Sequence, residues 1–137
     1  MIRLLMICGC LVPALLTVSC SMAGKNICET FERESKSFNK MLRWHEIEAA
    51  GMAHVSRELR ESYLKDAAAL KKRGVTFTDY RILTTECLAD RDSGEMLVEF
   101  EYYVLPSNRI RNQPYRQKWD HGDSDGWRLK SGLPSFE

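Results

Sequence analysis

Glu95-Met96-Leu97-Val98-Glu99-Phe100-Glu101-Tyr102-Tyr103-Val104-Leu105 alternates between apolar and polar side chains. Met96, Val98, Phe100, Tyr102 and Val104 fall on one face; Glu99, Glu101 and Tyr103 fall on the other. A period of two over this length describes a strand with one buried face. The residues before it continue the theme. Val75 to Leu88 is rich in Thr, Tyr, Ile and Phe, and Asp90-Arg91-Asp92-Ser93-Gly94 is a turn between two strands. After it, Pro106-Ser107-Asn108 is the next turn and Ile110 to Trp119 a third strand, in which Pro114 implies an edge or a bulge. His121 to Gly126 is a polar loop, and Trp127 to Ser131 a short fourth strand.

Turn positions suggest a register. A hairpin centred near Ser107-Asn108 sets Phe100 opposite Tyr115 and Met96 opposite Trp119, with Glu99 beside Arg116 on the outer face. A hairpin centred near Asp123 sets Trp119 opposite Trp127 and Gln117 opposite Leu129. Both put Trp119 on the apolar face, where large rings close a core.

Upstream of Gly74 the period is helical. Ile27, Phe31, Phe38, Met41, Leu42 and His45 mark one helix, with Gly51 as a break near its end. A second runs from about Ser56 to Arg73, with Ser56 as cap and Glu58 in the first turn. Its stripe is Val55, Leu59, Tyr63, Ala67 and Leu70; Lys71, Lys72 and Arg73 suit its C-terminal end, and Gly74 the left-handed stop. The fold class is therefore α+β. Two N-terminal helices pack on one face of a curved four-stranded antiparallel meander, whose long, bulged strands curl around the first helix.

The first 19 residues concern address rather than fold. Arg3 is followed by an uncharged, mostly apolar run from Leu4 to Val18. That run suits a signal h-region and falls short of the ~20 residues that span a bilayer. Leu16-Thr17-Val18-Ser19-Cys20 resembles the bacterial lipobox, in which small residues precede a Cys that is lipidated and becomes the first residue. Thr17 stands where that motif prefers Leu, and the earlier Cys10 leaves too short an h-region. An ordinary secretory signal and an uncleaved anchor are the alternatives. On the lipoprotein reading, residues 1–19 are the signal, 20–26 a lipidated tether and 27–137 the domain. Ser21 after the Cys, where Asp would retain the chain at the inner membrane, implies the outer membrane facing the periplasm.

The ~118 residues that remain suffice for one domain with a modest core. Without Arg3, the chain's 20 Lys and Arg come into balance with its 19 Asp and Glu, and no block of like charge appears. A nucleic-acid partner would need a basic patch, so that class is disfavoured. Of five cysteines, Cys8 and Cys10 leave with the signal and Cys20 takes the lipid, so Cys28 and Cys87 remain. In an oxidising compartment they are either a disulfide or two separate thiols. A bridge closing a loop of about 60 residues would contribute about 4 kcal/mol.

Several stretches together resemble a known family. They are Val75-Thr76-Phe77-Thr78-Asp79-Tyr80-Arg81-Ile82, Glu99 through Ser107, Gln117-Lys118-Trp119, Gly126-Trp127-Arg128-Leu129, and Leu133-Pro134-Ser135-Phe136. The combination is similar to bacterial lipoproteins with a nuclear transport factor 2-like (cystatin-like) domain. It covers nearly the whole chain after the signal. The resemblance implies a curved sheet around a helix, forming a cone with room for a pocket. Relatives of that fold include isomerases, dehydratases and non-catalytic binding domains, so it implies no single activity.

Candidate chemistry is sparse. Glu86 is the one acid with a route into the cone. In one register it faces the row of Val98 and Phe100; shifted by one residue, Cys87 does instead and Glu86 faces solvent. Facing inward near Tyr102, it could serve as a general base. His121, Asp123 and Asp125 have the two-residue spacing of a calcium loop. His stands in the first position, though, and Gly132 where the bidentate Glu belongs, so a polar hairpin turn explains them as well. His45, His54 and His121 share no metal spacing, and His45 reads as a core histidine. Trp44 either caps the cone's mouth or anchors an interface. No cofactor motif occurs. The expectation is a non-catalytic envelope module, held at the membrane through Cys20, that binds a protein partner or a small apolar ligand. The alternative is a cone-type isomerase or dehydratase using Glu86 and Tyr102.

Overall fold

The computed structural model describes residues 19–137, with side chains from residue 24 onward. Residues 1–18, which fall in the expected signal, lie outside the described residues. Helices α1 (Ser19–Arg43), α2 (Ile47–His54) and α3 (Arg57–Lys72) precede strands β1 (Val75–Leu88), β2 (Ser93–Val104), β3 (Arg111–Gly122) and β4 (Gly126–Leu129). The strands form one antiparallel meander in the order β1-β2-β3-β4, an open sheet rather than a closed barrel. Among the described residues, no helix is long and apolar enough to cross a membrane.

Among the described residues there are three α-helices where the periodicity suggested two. The break falls at Trp44-His45-Glu46, not at Gly51. His45 takes a left-handed φ of 65°. Its N–H donates to the Leu42 carbonyl (3.0 Å), and that of Glu46 to the Met41 carbonyl (2.9 Å). This pair of bonds is the Schellman ending of a helix, with His45 in the slot usually given to Gly. His45 is consequently exposed rather than in the core. Gly51 stays helical because space is what it supplies. A Cβ there would lie 2.5 Å from the Tyr63 ring. At the other end, α1 begins at Ser19, so residues 20–26, expected as a tether, continue the helix.

α1 turns Phe31, Phe38 and Leu42 onto the sheet. Between them lie two polar residues, Ser35 and Asn39, both fully buried. Burial without partners would be costly. Ser35 Oγ donates to the Phe31 carbonyl (2.8 Å). Asn39 and Gln117 of β3 exchange two amide hydrogen bonds, Asn39 Nδ2 to Gln117 Oε1 (3.1 Å) and Gln117 Nε2 to Asn39 Oδ1 (2.6 Å). This reciprocal pair sets the register of α1 against β3, which apolar packing alone would leave loose.

The faces of the strands agree with the alternation, but their partners differ by two residues. Val98, not Phe100, lies opposite Tyr115, and Gly94, not Met96, lies opposite Trp119. Trp119 pairs with Leu129, and Trp127 with His121. An even shift preserves which face a side chain occupies. It changes the outer ion pairs, however. Glu99 pairs with Arg81 on β1 (2.7 Å), and Arg116 pairs with Glu95. Two register shifts in β1, after Phe77 and after Ile82, bend the sheet. β4 covers only Trp119 to Gly122 of β3, which leaves Pro114 on a free edge.

The C-terminal segment closes the wide end of the sheet. Phe136, fully buried, packs its ring 4.9 Å from Phe77 and 5.3 Å from Tyr102. Arg73 holds it there, donating to the carbonyls of Ser135 (2.6 Å) and Phe136 (2.8 Å).

Candidate functional site

Cys28 of α1 and Cys87 of β1 are joined by a disulfide. The β1 register pairs Cys87 with Gly94, and Gly94 lies under the Phe31 ring, so Cys87 faces the helices. That parity turns Glu86 outward, where it is exposed and paired with Glu95. Tyr102 pairs with Phe77 and donates its hydroxyl to the Glu137 carbonyl (2.7 Å). Along β2, the positions of Glu95 and Tyr102 are roughly 24 Å apart at the usual strand rise. Glu86 and Tyr102 therefore cannot act on one small substrate. The side chain of Cys20 lies outside the described residues. Asp123 and Asp125 sit in the β3–β4 turn; the His121 ring lies against Trp127 (5.2 Å), with its Nδ1 3.7 Å from Asp92 Oδ1.

The structure instead gathers charge where α3 begins. Val55 forms a parallel bridge to Leu129, and the Ser56 N–H donates to the Leu129 carbonyl (3.0 Å). This contact lays the first turn of α3 along β4. Arg57, Glu58 and Arg60 come from the helix, Arg128 and Lys130 from the strand and its end, and Asp125 from the turn. Together with Ser56 they line a cleft of about 390 Å³. Arg128 donates to the Ala53 carbonyl, and Arg60 Nη2 to the Val55 carbonyl (3.2 Å). Lys130 Nζ lies 3.3 Å from Glu58 Oε2. The Glu58 backbone N–H and Lys130 hold that carboxyl below its ordinary range. Ser56, expected to cap α3, makes no side-chain cap bond.

His54 ends α2 beside this cleft, buried in T-shaped contact with the rings of Phe38 (6.1 Å) and Trp119 (6.2 Å). Its Nε2 is 3.3 Å from Ser37 Oγ, and its Nδ1 is 3.5 Å from Glu34 without hydrogen-bond geometry. This is the core histidine; the helical period pointed to His45. Desolvation pulls the imidazole below its ordinary value of 6.5; the Glu34 carboxylate opposes that pull and Arg128 adds to it. The unfolded chain then takes up a proton more readily than the folded one. The stability due to neutral His54 is present above about pH 6.5 and is lost as pH falls through the lowered folded value. Urea midpoints measured from pH 7.5 down to 5 should fall for the wild type and fall less for His54→Gln. Equal slopes would show that His54 does not carry the dependence.

Two large aromatics differ in how their polar atoms are met. Trp127 Nε1 donates to the Ile27 carbonyl (3.0 Å) and Thr30 Oγ1 (3.1 Å). Trp119 Nε1, expected to be bonded or at the rim, is buried with no partner among the described residues, as is the Tyr115 hydroxyl.

No family model matches the chain, and no curated protein matches it. Among solved structures, it is similar to the intermembrane space region of the chloroplast protein ARC6, with a TM-score of 0.50 and 15% sequence identity. The match covers 77% of this chain and 93% of that one. At that identity the likeness concerns the α+β fold alone. The disulfide is consistent with an extracytoplasmic location.

Proposed function

We propose that this chain is a lipid-anchored envelope protein whose domain binds a protein partner. In this reading, residues 1–19 are the signal, Cys20 carries the lipid, and the protein stands at the outer membrane facing the periplasm. The domain belongs with the nuclear transport factor 2-like lipoproteins that the sequence resembles. The observation that carries the binding role is the polarity of α1. Its 25 residues, from Ser19 to Arg43, span about 37 Å. The lipid site is at one end. At the other, Arg43 reaches the Phe77 carbonyl (3.5 Å), beside the end of β2 and the start of β3. Three large apolar side chains are exposed at that far end: Trp44 (62%), Leu105 (58%) and Ile110 (49%).

Phe136 occupies the mouth of the sheet that Trp44 was a candidate to cap, which supports interface anchoring as the role of Trp44. Because Phe77, Phe100, Tyr102 and Phe136 fill that end, a protein surface suits the domain better than a small apolar ligand inside it. A photoreactive phenylalanine in place of Trp44 should form discrete adducts with another protein in intact cells. The same residue in place of Glu86, near the lipid end, should not. Equal labelling from both positions, or none from position 44, would contradict the reading.

A further inference from the structure

The end of the sheet where α1 stops carries positive charge around its exposed apolar side chains. Phe77, Tyr102 and Arg111 stand side by side on β1, β2 and β3. At the usual strand spacing they cross about 10 Å. Arg43 lies at one side of this row. Its guanidinium reaches the Phe77 carbonyl and sits 5.3 Å from the centre of the Trp44 ring. Next to the row, the Leu105 N–H donates to the Gly74 carbonyl (3.1 Å), which sets Leu105 beside the end of α3 with Lys71, Lys72 and Arg73. Arg109 and Arg111 flank Ile110 in sequence, and all three are exposed. Each exposed apolar side chain at this end therefore has cations beside it.

Those cations are short of acids. Among the described residues Lys71 pairs with Glu48, but Arg43, Lys72, Arg109 and Arg111 have no carboxylate within ion-pair distance. Glu46 and Glu137 are on this side, and neither reaches them. Asp79 and Glu101 face the outer side of the sheet, where the Tyr80 N–H and Thr78 Oγ1 donate to them. The turns at the other end, near the start of α1, have the opposite balance. Asp90, Asp92, Asp123 and Asp125 stand there with Arg91. Charge separated in this way selects the sign of a docking surface.

We infer that the partner at this end is a protein presenting acidic side chains around apolar ones. Its carboxylates meet Arg43, Arg109 and Arg111, and its apolar groups meet Trp44, Leu105 and Ile110. Trp and Arg are the residue types that most often anchor interfaces. Arginine forks pair with carboxylates in a fixed geometry, which adds register to the apolar contact. The occupant is a protein surface rather than a lipid one, because α1 carries this end about 37 Å from the lipid site. The inference rests on the docking reading above and adds the partner's charge to it.

The test places a photoreactive phenylalanine at Asn108, in the loop beside Ile110, and uses membranes from cells that make the full chain. Its cross-link to a protein should fall several-fold between about 50 and about 500 mM salt, since screening weakens exposed ion pairs. Arg109→Glu with Arg111→Glu should lower the yield about ten-fold at an unchanged thermal melt. Arg91→Glu with Lys65→Glu makes the same change in net charge away from this end and should keep the yield. Peptide mapping should place the cross-link in a segment rich in Asp and Glu. Yields that hold both in high salt and in the first double variant overturn the acidic partner and leave docking intact. A cross-link to lipid or polysaccharide instead of protein overturns it as well. No cross-link from position 108 or from position 44 means that nothing docks, and the inference falls with the reading it rests on.

Discussion

Trp119→Ala should leave the protein largely unfolded. Trp119 has no exposed surface and sits where α1, α2 and the sheet meet. Its ring makes T-shaped contacts with Phe31 (6.3 Å), Phe38 (5.8 Å) and His54 (6.2 Å). Truncating a buried aromatic of this kind costs about 3–5 kcal/mol, from lost burial and from the cavity left behind. The unpartnered Nε1 reduces the loss somewhat, since its desolvation disappears with it. Small domains are stable by about 5–15 kcal/mol, so the change takes up much of the total. Glu99→Ala provides the contrast. Glu99 meets Arg81 on the outer face at 2.7 Å, and the Arg81 side chain is 72% exposed. Such a pair contributes less than about 1 kcal/mol. Denaturant melts of both variants measure the difference. A mild Trp119→Ala with a severe Glu99→Ala would mean that the inner face of the sheet is misassigned.

Removing the disulfide should have an effect of similar size. Cys28 and Cys87 are 59 residues apart, and the bridge closes the later part of α1, all of α2 and α3, and most of β1 into one loop. Closing such a loop restricts the unfolded chain by about 4 kcal/mol in the entropy model. Cys28→Ser with Cys87→Ser should lower stability by roughly that amount. The oxidised wild type should show no free thiol from this pair after denaturation, and reduction should reproduce the effect of the double variant. An unchanged urea midpoint in the double variant would show that the helical face holds α1 in place without the bridge.

The fold class was legible because the two halves of the chain have different periods. Alternation from Glu95 to Val104 settled which side chains face inward, and Met96, Val98, Phe100 and Tyr102 are all buried. Alternation defines parity and nothing finer. Strand partners were set by assumed turn centres; each true centre lies one residue away, which moves every partner by two. The connection from Leu105 to Ile110 and the turn around Ser124 are where the difference arises. The helix break was misplaced for a comparable reason. A glycine signals either a bend or a lack of room, and only the Tyr63 ring reveals that Gly51 answers the second need. The helical period pointed to burial of His45, yet His54 is the buried one. The Schellman turn exposes the first, and packing against Trp119 buries the second. The charged cleft was invisible for a different reason. Arg57 and Arg60 lie near Arg128 and Lys130 only through the bridge from Val55 to Leu129, a contact across 74 residues that no local pattern encodes.

In the proposed reading, lipidation of Cys20 connects the domain to its place in the envelope, and metabolic labelling with a fatty-acid probe tests that reading most directly. The wild-type chain should take up label and sediment with the outer membrane. Cys20→Ala should take up none and should change its membrane association, while keeping the Cys28–Cys87 bridge wherever it is still exported. Unchanged label on Cys20→Ala would contradict the account.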